Sequence, residues 1–147
     1  QPDDPIAQQA ELVDLDALMA RSDVVSVHAP SLPSTRGMIG SRQLKLMQDG
    51  AAFINTARGA LVEEEALLAE LQTGRIHAVI DVTDPEVPPA SSPFFSLPNV
   101  FLTPHVAGAI GTERARLGLM AVEEIERFVR GEPMLYEIAP ELLERLA

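Results

Sequence analysis

The amino-acid sequence predicts an α/β fold, a parallel sheet flanked by helices, and three observations carry that prediction. Short apolar runs alternate with helix-like segments along the 147 residues. The runs are apolar nearly throughout, as suits strands covered on both faces. Each of the four clear runs is followed within a few residues by a titratable or charged side chain: His28, Arg58, Asp81 and His105. Strand–helix alternation implies right-handed crossovers. In such sheets ligands sit beyond the carboxyl ends of the strands, so those four positions are where chemistry is expected.

The elements follow in order. Glu11-Leu12-Val13 is a weak strand candidate, and Asp14 is placed to cap a helix over 15–20. Val24-Val25-Ser26-Val27 is the first clear strand, and Ser41 is expected to cap a helix over 42–47. Ala51-Ala52-Phe53-Ile54 is the second strand. Glu63, Glu64 and Glu65 favour the positive end of a helix that runs to about Thr73 and stops at Gly74. Ala78-Val79-Ile80 is the third strand. Five prolines in 85–98 predict a stiff, extended loop before the fourth strand, Val100-Phe101-Leu102. Thr112 is expected to cap a longer helix ending before Gly131, with Leu117, Met120, Ala121, Ile125 and Phe128 on one stripe. The domain reading is a main unit over 1–130 and a tail over 131–147 containing a short helix, 140–146.

Composition bounds the function. Twenty-two acidic against 11 basic residues give a formal charge of −11, which argues against nucleic acid or an anionic membrane surface as the main partner. No cysteine is present, so thiolate nucleophiles, thiolate metal sites and disulfides are excluded. Three histidines without clustered carboxylates give no metal-ligand pattern. No apolar run approaches the roughly 20 residues of a membrane span, and a cytoplasmic protein is expected. Against the overall charge, residues 25–62 carry Arg36, Arg42, Lys45 and Arg58 with only Asp49, a local excess of positive charge suited to an anionic ligand or to scattered surface arginines.

Each candidate residue has two readings at this level. Arg58, just past a buried strand, is either a bidentate fork for a substrate carboxylate or the partner of Glu63 or Glu64. Glu86 and His105 either meet, forming an oriented general acid–base near neutral pH, or stay apart as an exposed acid and a local cap. Asp81 ends a very apolar strand and needs donors there, from a ligand amide or from nearby backbone N–H groups. His28 is either a site residue or a structural one, and His77 has no assigned role. A glycine-rich phosphate cradle is absent, since Gly108 and Gly111 lack the first glycine of the motif.

Taken together, the strand ends resemble one family. Asn55-Thr56-Ala57-Arg58-Gly59, Asp81-Val82 followed by Glu86, and Thr103-Pro104-His105 are similar to the D-isomer-specific 2-hydroxyacid dehydrogenases. Val27-His28-Ala29-Pro30, Thr35 to Gly40 and Asn99 to Leu102 fit the same pattern, so the resemblance covers about residues 11–133. It implies interconversion of a 2-keto acid and a D-2-hydroxy acid with NAD, NADP not being excluded. It further implies that His105 transfers the proton, that Glu86 holds His105, and that Arg58 clamps the substrate carboxylate. Asp81 is implied to hold the nicotinamide carboxamide. His28, Ala29, Pro30, Thr56, Ala57, Arg58, His105, Ala107 and Gly108 are implied to line the cofactor. Thr83, Asp84 and Val87 depart from the family's commonest residues (an aromatic, Glu and Pro) while keeping the spacing from Asp81 to Glu86.

The same resemblance implies a partial Rossmann-like sheet lacking the first two nucleotide-binding strands, the phosphate loop and a preceding substrate domain. The expectation is a piece of a chain roughly twice as long, homodimeric when intact, acting on a small 2-keto or 2-hydroxy acid and inactive by itself. An NAD(H)-sensing protein similar to the C-terminal-binding-protein corepressors is the alternative, as is an inert remnant. Without a neighbour, the Val24–Val27 strand is expected to be a bare edge.

Overall fold

A computed structural model describes residues 10–140 and 142. Four strands, β1 (Val24–Val27), β2 (Ala52–Asn55), β3 (His77–Ile80) and β4 (Val100–Leu102), form one sheet in the order β1-β2-β3-β4. All pairs are parallel, so the expected α/β class is what the chain adopts. Residues 11–14 are not a strand; Glu11 instead pairs with Arg21 at 2.5 Å.

Helices α1 (Leu15–Arg21), α2 (Ser41–Leu46) and α3 (Glu64–Gln72) pack in sequence, α1 on α2 and α2 on α3. Asp14 caps α1 by accepting the Ala17 N–H at 2.8 Å. The cap of α2 is Gly40 rather than Ser41, because Ile39 bridges to Val62 and brings Gly40 under the Glu63 carboxylate, where a Cβ would lie 2.6 Å from an oxygen. Helix α3 ends as expected ahead of Gly74, whose φ is +72°.

Met19, Leu44, Leu67 and Leu71 from the helices and Val25, Val27, Phe53, Ala78 and Ile80 from the strands form one core. Alternate strand residues are buried, so the three helices cover a single sheet face. The expectation of cover on both faces is therefore not met among the described residues: Val24 and Phe101 are exposed. The apolar composition of the strands recorded what a sheet interior prefers without recording which face is covered. β1 is an edge strand, as expected.

Arg75 staples α2 to the α3 end. Its guanidinium donates to the Leu44 carbonyl at 2.9 Å, to Met47 O, and to the buried Glu70 carboxylate at 2.7 Å. The proline-rich loop is not uniformly extended, since Pro93–Phe95 make a 3-10 turn that buries Phe94.

Helix α4 (Thr112–Arg130) is capped by Gly111 rather than Thr112, because the cap position takes φ +54°. It ends on left-handed Gly131. None of its residues is buried; Leu117, Ile125 and Phe128 are exposed along the predicted stripe. The tail then turns back, and the Glu124 carboxylate accepts the Leu135 and Tyr136 amides at 3.0 Å. The expected 140–146 helix falls largely outside the described residues. No described helix is long and apolar enough to cross a membrane.

Candidate active site

Strand register builds the site edge. Val27 pairs with Asn55, Asn55 with Ile80, and Ile80 with Leu102, so the four carboxyl ends lie in one row. With strands about 4.8 Å apart, the ends of β2 and β4 are separated by roughly 10 Å. That gap has the dimensions of a small molecule.

After β3 comes Asp81, only 3% exposed. Its Oδ1 accepts from the Thr103 hydroxyl and from Val106 N–H at 2.9 Å; its Oδ2 accepts Ala107 N–H at 2.9 Å. The Asp81 carbonyl also accepts His105 N–H at 3.0 Å. Burial works to raise the Asp81 carboxyl, but the Thr103 hydroxyl, the two amides and the nearby His105 outweigh it and hold the group below the usual carboxylate range. The loop thus gripped contains His105 at φ +53°, a left-handed conformation unusual for a residue with a Cβ.

His105 and Glu86 meet. The imidazole Nδ1 contacts Glu86 Oε1 as a charge-assisted hydrogen bond, across 19 residues of sequence. With Nδ1 committed, Nε2 is the nitrogen left for chemistry. Both side chains are substantially exposed, and with Phe94, Val100, Leu102 and Thr103 they line a cavity of about 610 Å³.

Arg58 sits on a turn made by Asn55, which the sequence places in the Asn55–Gly59 motif without giving it a role. Buried Asn55 donates from Nδ2 to Arg58 O at 3.0 Å and accepts Ala57 N–H at 3.1 Å. A polar residue closing an otherwise apolar strand was the available signal. The guanidinium donates to Ala57 O at 2.7 Å and, among the described residues, pairs with no carboxylate, including Glu63 and Glu64. Glu64 instead accepts the Asp84 amide at 3.3 Å; burial pushes its carboxyl up, that hydrogen bond opposes the rise, and the Asp84 charge adds to it. Arg36 and Arg42 are neutralised by Asp84 and Asp16. Of the arginines in the basic stretch 25–62, Arg58 is left with positive charge to offer an anion.

Gly59 joins the two halves of the site. A Cβ there would lie 2.1 Å from the Thr83 carbonyl carbon and 2.6 Å from Asp84 N, so the Arg58 turn and the Glu86 loop touch backbone to backbone. The remaining sequence candidates flank this centre. His28 is exposed beyond β1, with Nε2 2.8 Å from Ser26 Oγ, and Ala29, Pro30, Thr56 and Ala57 are half-buried along the same edge. Ala107 and Gly108 are exposed beside His105. His77 opens β3 at the opposite end of the sheet.

The donor set fits the nicotinamide end of a dinucleotide. Asp81 Oδ2 has one protein donor and retains acceptor capacity for an amide, and a Cβ built on Gly108 meets nothing within 4 Å. No glycine-rich cradle for the pyrophosphate occurs in the sequence.

Comparison with known proteins agrees with this geometry. Residues 1–107 match the family described as D-isomer specific 2-hydroxyacid dehydrogenase, NAD binding domain. The chain is 44% identical over 128 residues to a glycerate dehydrogenase of Methylorubrum extorquens, covering 85% of this chain and 41% of the relative. It is similar to apo D-mandelate dehydrogenase of Rhodotorula graminis, with TM-score 0.83, 30% identity, and coverage of 95% of this chain and 42% of that one. It is also similar to a D-isomer specific 2-hydroxyacid dehydrogenase from Xanthobacter autotrophicus Py2 solved with NADPH and MES: TM-score 0.72, 39% identity, 86% and 52% covered. The chain spans less than half the length of the curated relatives it matches.

Proposed function

Because the chain belongs to the D-isomer specific 2-hydroxyacid dehydrogenase family through its NAD-binding domain, we propose that it carries the proton-transfer and nicotinamide half of an NAD(P)-dependent oxidoreductase interconverting 2-keto and D-2-hydroxy acids. The observation that supports this reading best is the Glu86–His105 contact at the carboxyl edge of the sheet, with Arg58 uncompensated by any described carboxylate.

When bound, the nicotinamide supplies or accepts the hydride at the substrate's C2. The residues do the rest. Arg58 binds the substrate carboxylate through its fork and draws electron density from the neighbouring carbonyl. His105 gives a proton from Nε2 to the keto oxygen in reduction and takes it from the hydroxyl in oxidation. Glu86 orients the ring by holding Nδ1. Asp81 pins the loop and offers Oδ2 to the carboxamide, while His28, Ala29, Pro30, Thr56, Ala57, Ala107 and Gly108 line the cofactor edge. In reduction, one hydride and one proton add across C=O, so charge and atoms balance.

The test is NADH and NADPH oxidation by full-length protein with glyoxylate, hydroxypyruvate and larger 2-keto acids. His105→Ala is expected to remove turnover by about 10²-fold or more while NADH still binds. Arg58→Lys is expected to weaken keto-acid use chiefly through KM. Turnover retained by the His105 variant, or wild-type KM in the Arg58 variant, refutes the corresponding assignment. NADH binding by wild-type protein without turnover of any 2-keto acid would favour a sensing role.

A further inference from the structure

The turn that carries Glu86 is held in a manner distinct from the neighbouring strand ends. Thr83 is buried, and its hydroxyl donates to Pro85 O at 2.8 Å and is shared with Glu86 O at 3.1 Å. That bond closes residues 83–86 into a compact ring. The outer side of the ring is anchored separately: the Thr83–Asp84 peptide abuts Gly59, the Asp84 amide donates to Glu64, and the Asp84 carboxylate receives Arg36 at 2.8 Å. None of these contacts touches the Glu86 carboxylate. Its side chain is 60% exposed, so packing does not aim it. Its direction is inherited from the backbone of the turn.

We propose that Thr83 is a positioning residue for the proton-transfer pair: its hydroxyl sets the turn that aims Glu86 at Nδ1 of His105 and so leaves Nε2 for the substrate. The proposal rests on the assignment of His105 as proton donor. Thr83 lines the same cavity as Glu86 and His105, and the role assigned to its hydroxyl is to act through Glu86.

Ring ¹⁵N chemical shifts of neutral His105 test it directly, because they report which nitrogen carries the proton. In the full wild-type chain the Nδ1–H tautomer is expected to dominate. Thr83→Val keeps the shape and removes the hydroxyl, and is expected to shift the tautomer ratio toward Nε2–H by about fivefold, the worth of one neutral hydrogen bond. Thr83→Ser restores the hydroxyl and is expected to restore the ratio. In turnover, the Val variant is expected to lower kcat severalfold with KM for the keto acid within about twofold, since Arg58 is untouched. A folded Val variant with the wild-type tautomer ratio overturns the proposal, as does a Ser variant as defective as the Val one. If the Val variant does not fold, Thr83→Ala takes its place under the same criteria. A wild-type protein that reduces no 2-keto acid overturns the reaction assigned above, whereas the tautomer comparison still decides the role of Thr83.

Discussion

Replacing Asp81 with Asn is the sharpest probe of how the sheet edge holds its histidine. The carboxylate accepts three hydrogen bonds, from Thr103 Oγ1 and the Val106 and Ala107 amides, the latter two at 2.9 Å. Bonds to a charged acceptor contribute about 1.5–3 kcal/mol each and neutral ones about 1. An Asn side chain keeps one acceptor oxygen and turns an NH₂ toward one of the three donors. At least one charge-assisted bond is lost and the others weaken, a local cost of about 3 kcal/mol. The left-handed His105 adds about 1–3 kcal/mol of stored strain that favours release of the loop. Asp81→Asn is therefore expected to accelerate hydrogen exchange at Val106 and Ala107 by roughly 10²-fold, with little change in the β2 amides. Exchange within about threefold of wild type at both amides would refute the view that the carboxylate, rather than the Thr103–Pro104 turn itself, holds the loop.

Acid should reproduce the same release. The folded-state carboxyl of Asp81 lies below its ordinary 3.8, so its contribution is complete above that pH and lost as pH falls through the depressed folded value. Hydrogen exchange at Ala107, corrected for its intrinsic pH dependence, is expected to keep its protection from neutrality to about pH 5 and to lose it only in stronger acid; full protection retained in strong acid would contradict this. Glu86→Gln removes the carboxylate that holds Nδ1 of His105, so keto-acid turnover is expected to fall severalfold with KM little changed, and wild-type kcat would dissociate the pair. Gly59→Ala drives a methyl into the Thr83 carbonyl and is expected to cost about 1–3 kcal/mol in a denaturant titration, with loss of turnover; wild-type stability would mean the contact yields freely. Arg75→Ala strands the buried Glu70 carboxylate and bares the α2 carbonyls, an expected loss of about 3–5 kcal/mol and of roughly 10 °C or more in Tm. A Tm within about 2 °C of wild type would assign that cluster no role in stability.

Much of this molecule was determined by its sequence alone. Apolar runs of strand length, alternating with segments bounded by Asp14, Gly74 and Gly131, suffice for a parallel α/β sheet because side-chain periodicity and cap chemistry are local properties. The candidate residues were visible for the same reason: a charge directly after a buried strand has no local justification. Local reading failed where geometry intervened. Ser41 and Thr112 have good capping chemistry, yet Gly40 and Gly111 take the caps, since close approach of Glu63 at one and a positive φ at the other admit no side chain. The 11–13 segment has strand composition but, among the described residues, no strand lies beside it to pair with.

Tertiary structure alone decided who meets whom. Sequence spacing could not distinguish Glu86 and His105 as partners from two separate surface groups, because 19 residues of loop and strand admit either. The register Ile80↔Leu102 and the grip of Asp81 on the 103–107 loop bring them into contact. Arg58 was as well suited to an ion pair with Glu63 or Glu64 as to a ligand, and the Asn55 turn directs it away from both. Periodicity acts over one turn or one strand and is written in the chain; the meeting of distant polar groups depends on register and backbone contact, which exist only once the sheet has formed.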